Sequence, residues 1–200
     1  MATMTTTPAA EQRRRQILEA AVRVFAQRGY HTSRVGDIAE EAGVAYGLVY
    51  HYFDSKEAVL RNIFVETWTN MLATIEAIEA GEESAREQLR KVVELVLRTW
   101  RRDPDLVRVL VREVTRAPQI SDEIEEIEHA FEALQRIVVR GQERGEFKRD
   151  VDPRLASWIL YGSMEEILTG WVLGRLDADD ESIAAAERAV VATICDGLGA

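Results

Sequence analysis

The residues whose types and spacing could do chemistry fall between Gly29 and Phe53. Two short amphipathic segments there are joined by the tight turn Gly43-Val44-Ala45. Together they span about 20 residues, the length of a helix-turn-helix. In that arrangement the first helix braces and the second turns its free face to the major groove of DNA. Catalytic chemistry has no comparable footing. There is no Gly-rich phosphate loop and no Ser/His/Asp set in a supporting context. The three histidines, His31, His51 and His129, are too far apart for ligand spacing, so neither a metal site nor a cofactor is expected. The paired glutamates sit in charged helical segments and read as solvated faces. The single cysteine, Cys195, excludes a disulfide framework and a Cys-rich zinc or iron–sulfur site. It points to a reducing compartment, hence the cytoplasm.

Those segments must be positioned by the rest of a 200-residue chain, enough for one medium domain or two small ones. A hydrophobic fraction of 46% supplies a core, and 12 Gly with 4 Pro are too few for many short strands. The net charge of −10 is unevenly placed. Residues 1–60 carry seven Lys/Arg and seven Asp/Glu, so the whole excess falls on residues 61–200. A uniformly acidic surface would repel nucleic acid, whereas a neutral N-terminal piece can bind it through a local patch. The first ten residues lack the basic flank and apolar run of a signal peptide.

Three- and four-residue apolar spacing predicts an all-α fold of about nine helices. The first covers about Ala10 to Arg28, with Ile17, Ala20, Ala21, Val24 and Phe25 on one face and Gly29 ending it. The second runs from Arg34 to Ala42 with Ser33 as N-cap, and the third from Ala45 to Tyr52. The fourth begins at Asp54-Ser55-Lys56-Glu57 and continues to Gly81. Others are expected over Ser84–Asp103, Pro104–Arg116, Ser121–Arg144, Pro153–Gly174 and Asp180–Leu198. Pro104 and Pro153 each follow an Asp that can cap. Residues Met1 to Thr7 read as a frayed tail.

The Pro153–Gly174 segment is apolar on nearly every side. Glu165 and Glu166 in its middle argue against a membrane span, since charge in lipid is costly. A helix apolar all round is otherwise buried on two sides. With the apolar face of Ile183, Ala186, Val190, Val191 and Ile194, it suggests a homodimer built on the last two helices. The other reading is that both helices fill one monomer core.

The string from Gly29 to Glu57, with its Asp37-Ile38-Ala39, Ala42-Gly43-Val44, Tyr50-x-Tyr52-Phe53 and Ser55-Lys56-Glu57 pieces, resembles the signature of TetR-type transcriptional regulators. The resemblance implies an all-α homodimer. It implies an N-terminal three-helix DNA-binding domain over residues 10–55 and a C-terminal ligand-binding and dimerisation domain over residues 56–200. It also implies DNA-contact roles. Ser33 and Arg34 would meet phosphates, as would the hydroxyls of Tyr50 and Tyr52 and the charge of Lys56. Ala45, Tyr46, Gly47, Leu48 and His51 would lie on the reading face, Gly47 letting the backbone approach closely. Val49 and Phe53, spaced i, i+4, should face inward. For the two tyrosines, core packing with the hydroxyl at the rim is an equal alternative.

Two departures from the family pattern stand out. Ala45 replaces a usual Ser or Thr, and Tyr46 replaces a usual basic residue. With Leu48 they make the reading face apolar, which suits thymine methyl groups better than guanine edges.

The resemblance further implies a cavity among the helices after residue 54. Large side chains that could line it are Trp68, Met71, Trp100, Phe131, Trp158, Tyr161 and Met164. The run Glu143 to Ala156, with Gly162 and Trp171-Val172-Leu173, is similar to the fatty-acid-responsive, FadR-like group. That similarity implies a long-chain acyl-CoA effector, its tail in an apolar tunnel and its phosphates against Arg98, Arg101, Arg102, Arg108 or Arg112. Solvated pairing with carboxylates is the plainer reading of those arginines. A rival effector class is lipophilic cations, which Glu165 and Glu166 among aromatics could pair with. A non-DNA-binding helical interaction module is the alternative function. In the regulator reading, the ligand-free dimer holds its reading helices about 34–36 Å apart. Ligand then shifts the fourth helix and lowers DNA affinity.

Overall fold

Ten helical segments position the site in a computed structural model, which describes residues 8–114 and 125–199. They are α1 (Pro8–Arg28), α2 (Val35–Glu41), α3 (Tyr46–Tyr52), α4 (Lys56–Glu79), α5 (Ala85–Leu97), α6 (Thr99–Arg102), α7 (Pro104–Val114), α8 (Glu125–Glu143), α9 (Pro153–Val172) and α10 (Asp180–Leu198). The all-α expectation holds, with no strand among the described residues. The expected frayed tail Met1–Thr7, the predicted helix start at Ser121 and the predicted helix end at Arg116 lie outside the described residues.

Local chemistry sets most boundaries. Gly29 and Gly43 adopt φ of 81° and 63°, a left-handed geometry that ends a helix without Cβ strain. Ser55 Oγ accepts from the Ala58 amide at 3.0 Å, starting α4. Asp103 and Asp152 cap the helices whose first turns hold Pro104 and Pro153. Two expectations need correction. Ser33 is not the cap of α2: Arg34 is, its amide donating to Asp37 Oδ2 at 2.7 Å. The predicted helix 84–103 is divided at Arg98 into α5 and the single turn α6. There Thr99 Oγ1 donates to the Leu95 carbonyl at 3.1 Å, a back-bond that bends helices.

Two hydrophobic clusters form the interior. One gathers the predicted stripe of α1 and Val35, Ile38, Ala39 and Ala42 from α2 and its C-cap with Val49, Phe53, Val59, Leu60, Ile63 and Phe64. It also includes Val109 of α7 and, at its margin, Leu106 and Leu110. The other is built from α5, α8, α9 and α10 around Leu89, Leu97, Ile137, Leu160 and Met164. Helix α4 runs through both, contributing Ile63 and Phe64 to the first and Ile75 to the second, with Trp68 at the margin of each. Its far end is held by Gln88, buried on α5, whose Nε2 lies within hydrogen-bond reach of the carbonyls of Ile78, Glu79 and Gly81. No helix among the described residues is long and apolar enough to cross a membrane. Instead, α9 with its C-cap leaves Leu155, Trp158, Ile159 and Leu173 more than half exposed on the outside of the protomer.

Candidate functional site

Helix α2 stands against α1 through paired side chains, and α3 packs on α2. Arg28 donates to Asp37 and Arg23 to Glu41, each at 2.6 Å, and Gln16 reaches the Ala42 carbonyl at 2.6 Å. Val49 and Phe53 face inward, at 1% and 3% exposure. That orientation turns the opposite side of α3 outward. Ala45, Tyr46, Gly47, Tyr50 and His51 are exposed, while Leu48 and Tyr52 are half-buried. Tyr46 and Tyr50 form one unit, their rings 5.2 Å apart at 62° and their hydroxyls 3.3 Å apart. The bond from Tyr46 pushes the Tyr50 pKa up, so Tyr50 keeps its proton at neutral pH. Tyr52 packs toward the core beside His51 and Phe53. A Cβ built on Gly47 would meet open space, so nothing within the protomer covers this face.

The expected phosphate contacts separate into two kinds. Arg34 is exposed at the start of α2. Ser33, in contrast, is 3% exposed and donates Oγ–H to the Tyr30 carbonyl at 2.8 Å, so its hydroxyl is turned away from any phosphate. Lys56 is committed as well. Its Nζ donates to the carbonyls of Tyr30 at 2.6 Å and Ser33 at 2.9 Å and lies 4.3 Å from the centre of the Tyr30 ring. It staples the α1–α2 turn to α4. Sequence spacing could not show this, because the staple joins residues 26 positions apart.

A cavity of about 90 Å³ lies between α4, α5, α7, α8 and α9. Trp68, Met71, Phe131, Tyr161, Met164 and Glu165 all line it. Trp100 and Trp158 do not. Trp100 packs near Trp171 at 6.1 Å, beneath the Arg108 guanidinium. Trp158 stacks on Phe131 at 4.7 Å but faces an outer cleft. The rest of the wall is aliphatic, including Leu110 and Val111 of α7, which carried no signal separating cavity from core. Burial pushes the Tyr161 phenol far up, with the nearby Glu165 adding to the effect. Glu165 is itself raised, by burial first and then by Glu166.

A larger, open cleft of about 640 Å³ adjoins the cavity and shares Met71 with it. It lies between α1, α4, α5, α6 and α7 and carries Arg15, Arg23 and Arg102 beside Glu19, Glu66, Asp103 and Asp105. Of the five arginines expected to receive phosphates, Arg102 lines this cleft. Arg98 is paired with Glu187 and Glu94, Arg101 with Asp180, and Arg108 with Asp105, while Arg112 donates to the Ala26 carbonyl. No cluster of three or more metal-ligating side chains occurs among the described residues.

Comparison with known proteins agrees with this architecture. Residues 17–63 match the family model "Bacterial regulatory proteins, tetR family", and residues 64–191 match "YsiA-like protein, C-terminal region". The fatty acid metabolism regulator protein of Bacillus subtilis (strain 168) is 34% identical over 160 residues, covering 79% of this chain and 82% of that one. The solved structure of the fatty acid degradation regulator FadR from Bacillus halodurans superposes with a TM-score of 0.84 at 29% identity, over 93% of this chain and 96% of that one. The FadR of Bacillus subtilis, solved in complex with stearoyl-CoA, gives 0.82 at 30% identity over 92% and 98%. A helix-turn-helix at residues 35–52, a second helical unit behind it and both family matches lead to one conclusion: the chain belongs to the TetR family of bacterial transcriptional regulators.

Proposed function

We propose that this protein is a homodimeric, cytoplasmic transcriptional repressor that grips operator DNA with α2 and α3 and releases it when a long-chain acyl-CoA enters the cavity. The observation that carries this reading is the sharing of α4 and α7. Both helices wall the cavity, and both complete the core under α2 and α3. The unit of residues 10–55 reads DNA and the unit of residues 56–200 senses ligand. A volume of about 90 Å³ is far below the roughly 300–1,000 Å³ of a ligand site, so a long tail must push the walls apart. Moving α4 and α7 then moves the reading helices. The polar cleft beside Met71 suits the phosphate-bearing head, with Arg15 and Arg102 as its cationic partners. Arg34 and the Tyr46–Tyr50 pair carry the DNA contact. The exposed apolar face of α9, with α10 beside it, is the dimer surface. The relatives are regulators, and the protein is read as a regulator without catalytic activity.

Lipophilic cations fit less well. Burial and the like charge of Glu166 both favour a protonated Glu165, a poor counter-ion. The deciding experiment is fluorescence anisotropy on the DNA upstream of its own gene at two salt concentrations, with and without stearoyl-CoA. Salt-dependent binding that weakens on adding the thioester supports the reading. Indifference to DNA at low salt returns the protein to the class of helical interaction modules.

A further inference from the structure

The cavity has one acidic wall residue, Glu165 on α9. Glu165 and Val111 also line a neighbouring groove bounded by Arg112, Gly162, Glu166 and Thr169. These two side chains therefore form the partition between an apolar cavity and an open groove of mixed lining, which also includes Val172 and Leu173. On the cavity side stand the Tyr161 ring and Met164. The charge acting on Glu165 is Glu166, of the same sign, and burial acts in the same direction. A carboxyl so placed takes up a proton more readily than usual, and a protonated carboxyl both donates and accepts hydrogen bonds.

Resting on the acyl-thioester reading above, we infer that Glu165 makes the cavity selective for acyl chains bearing an oxygen substituent, a hydroxyl or keto group, over the saturated chain of the same length. A tail that fills the cavity displaces water from the cavity side of Glu165. A methylene at that point offers the carboxyl nothing in return, and a buried polar group left without a partner opposes binding. A hydroxyl or keto oxygen replaces the lost water. Sites that hydrogen-bond a ligand oxygen discriminate far more strongly than apolar walls that merely accommodate one. Because Glu165 is only half-buried, the expected preference is on the order of tenfold.

The test uses the full-length protein and measures displacement of labelled operator by stearoyl-CoA and by a positional series of hydroxyoctadecanoyl-CoA thioesters. At least one hydroxy isomer is expected to act at about one tenth the concentration of stearoyl-CoA. Glu165→Leu should remove that preference by strengthening the response to stearoyl-CoA. Glu165→Gln, which keeps a donor and an acceptor in the same shape, should retain most of it and serves if the leucine variant fails to fold. Equal action of all isomers on the wild type, or an unchanged preference in Glu165→Leu, overturns the inference and leaves the acyl-CoA reading standing. Binding of a cationic dye that is lost in Glu165→Leu, with no response to any thioester, overturns both.

Discussion

Arg112 on α7 donates from Nη1 to the backbone carbonyl of Ala26, near the C-terminal end of α1, across 3.2 Å. The adjacent Val111 lines the cavity. One helix thus touches the ligand space with one residue and the DNA-reading unit with the next. Replacing Arg112 by Ala should leave acyl-CoA affinity within about twofold and reduce the coupling between ligand and operator by about 1 kcal/mol, the scale of one hydrogen bond. Operator titrations with and without saturating ligand measure that coupling as a ratio of affinities. An unchanged ratio removes α7 from the transmission route.

The Tyr46–Tyr50 pair makes a prediction about DNA sequence. Tyr46 is 57% exposed and Tyr50 43%, and α3 bears no Lys or Arg. Leu48 is half-buried and contributes less than the sequence suggests. Changing operator thymines to uracil should therefore weaken binding by up to about 0.8 kcal/mol for each methyl the tyrosine rings cover. Equal affinity for both duplexes would show that the rings do not read methyl groups.

Lys56 and Arg34 should separate in their salt behaviour. Lys56→Gln breaks a charge-assisted staple and is expected to cost about 1–2 kcal/mol of stability, a few degrees of Tm, with the salt slope of DNA binding unchanged. Arg34→Gln should leave Tm alone and lower the slope of log K against log salt by about 0.9. Thermal melts and binding at three ionic strengths distinguish the pair.

Glu79, near the C-terminal end of α4, predicts a pH dependence. A hydrogen bond from Arg136 holds its carboxyl below the usual carboxylate range, against a smaller opposing effect of burial, and Arg136 and Arg140 add their charges. A depressed folded-state pKa stabilises above the unfolded value, and that contribution disappears as pH falls through the folded value. Glu79→Gln should lower Tm at neutral pH, and the gap between variant and wild type should close as pH falls below the ordinary carboxylate range. A gap that stays constant with pH would mean that the ion pair contributes nothing.

The α9 surface predicts assembly. Ile159 is 59% exposed and Trp158 56%, between Leu155 on the same helix and Leu173 at its C-cap. Ile159→Arg should produce monomers in sedimentation velocity, with operator affinity falling by at least tenfold because one reading helix binds where two did. A variant that stays dimeric places the interface elsewhere.

Much of this was legible because helix punctuation is local. Gly29, Gly43, Ser55, Asp103 and Asp152 act within a few residues of themselves, so their roles follow from spacing. What was illegible depends on partners far along the chain. Ser33 looks like a cap until Lys56 and Tyr30 fix the turn around it. Trp158 lies one helical turn from Tyr161 on α9 and so shares its face, yet it stands past the end of the cavity, where Phe131 stacks against it. Trp100 falls on α6, beyond the break at Arg98, and is carried toward Trp171 instead. Aromatic type alone does not distinguish these positions, and neither does periodicity.

The continuity of α4 has a mechanical consequence. From Trp68 to Lys56 is about 18 Å at 1.5 Å per residue. A rotation of about 6° pivoting at Trp68 would then sweep the Lys56 end through about 2 Å. Through the Lys56 staple that sweep reaches the turn that starts α2. Successive base pairs are stacked about 3.4 Å apart, so such an excursion is more than half a step along the duplex. A rod this stiff needs only a slight wedge at the tryptophan to throw the reader out of register.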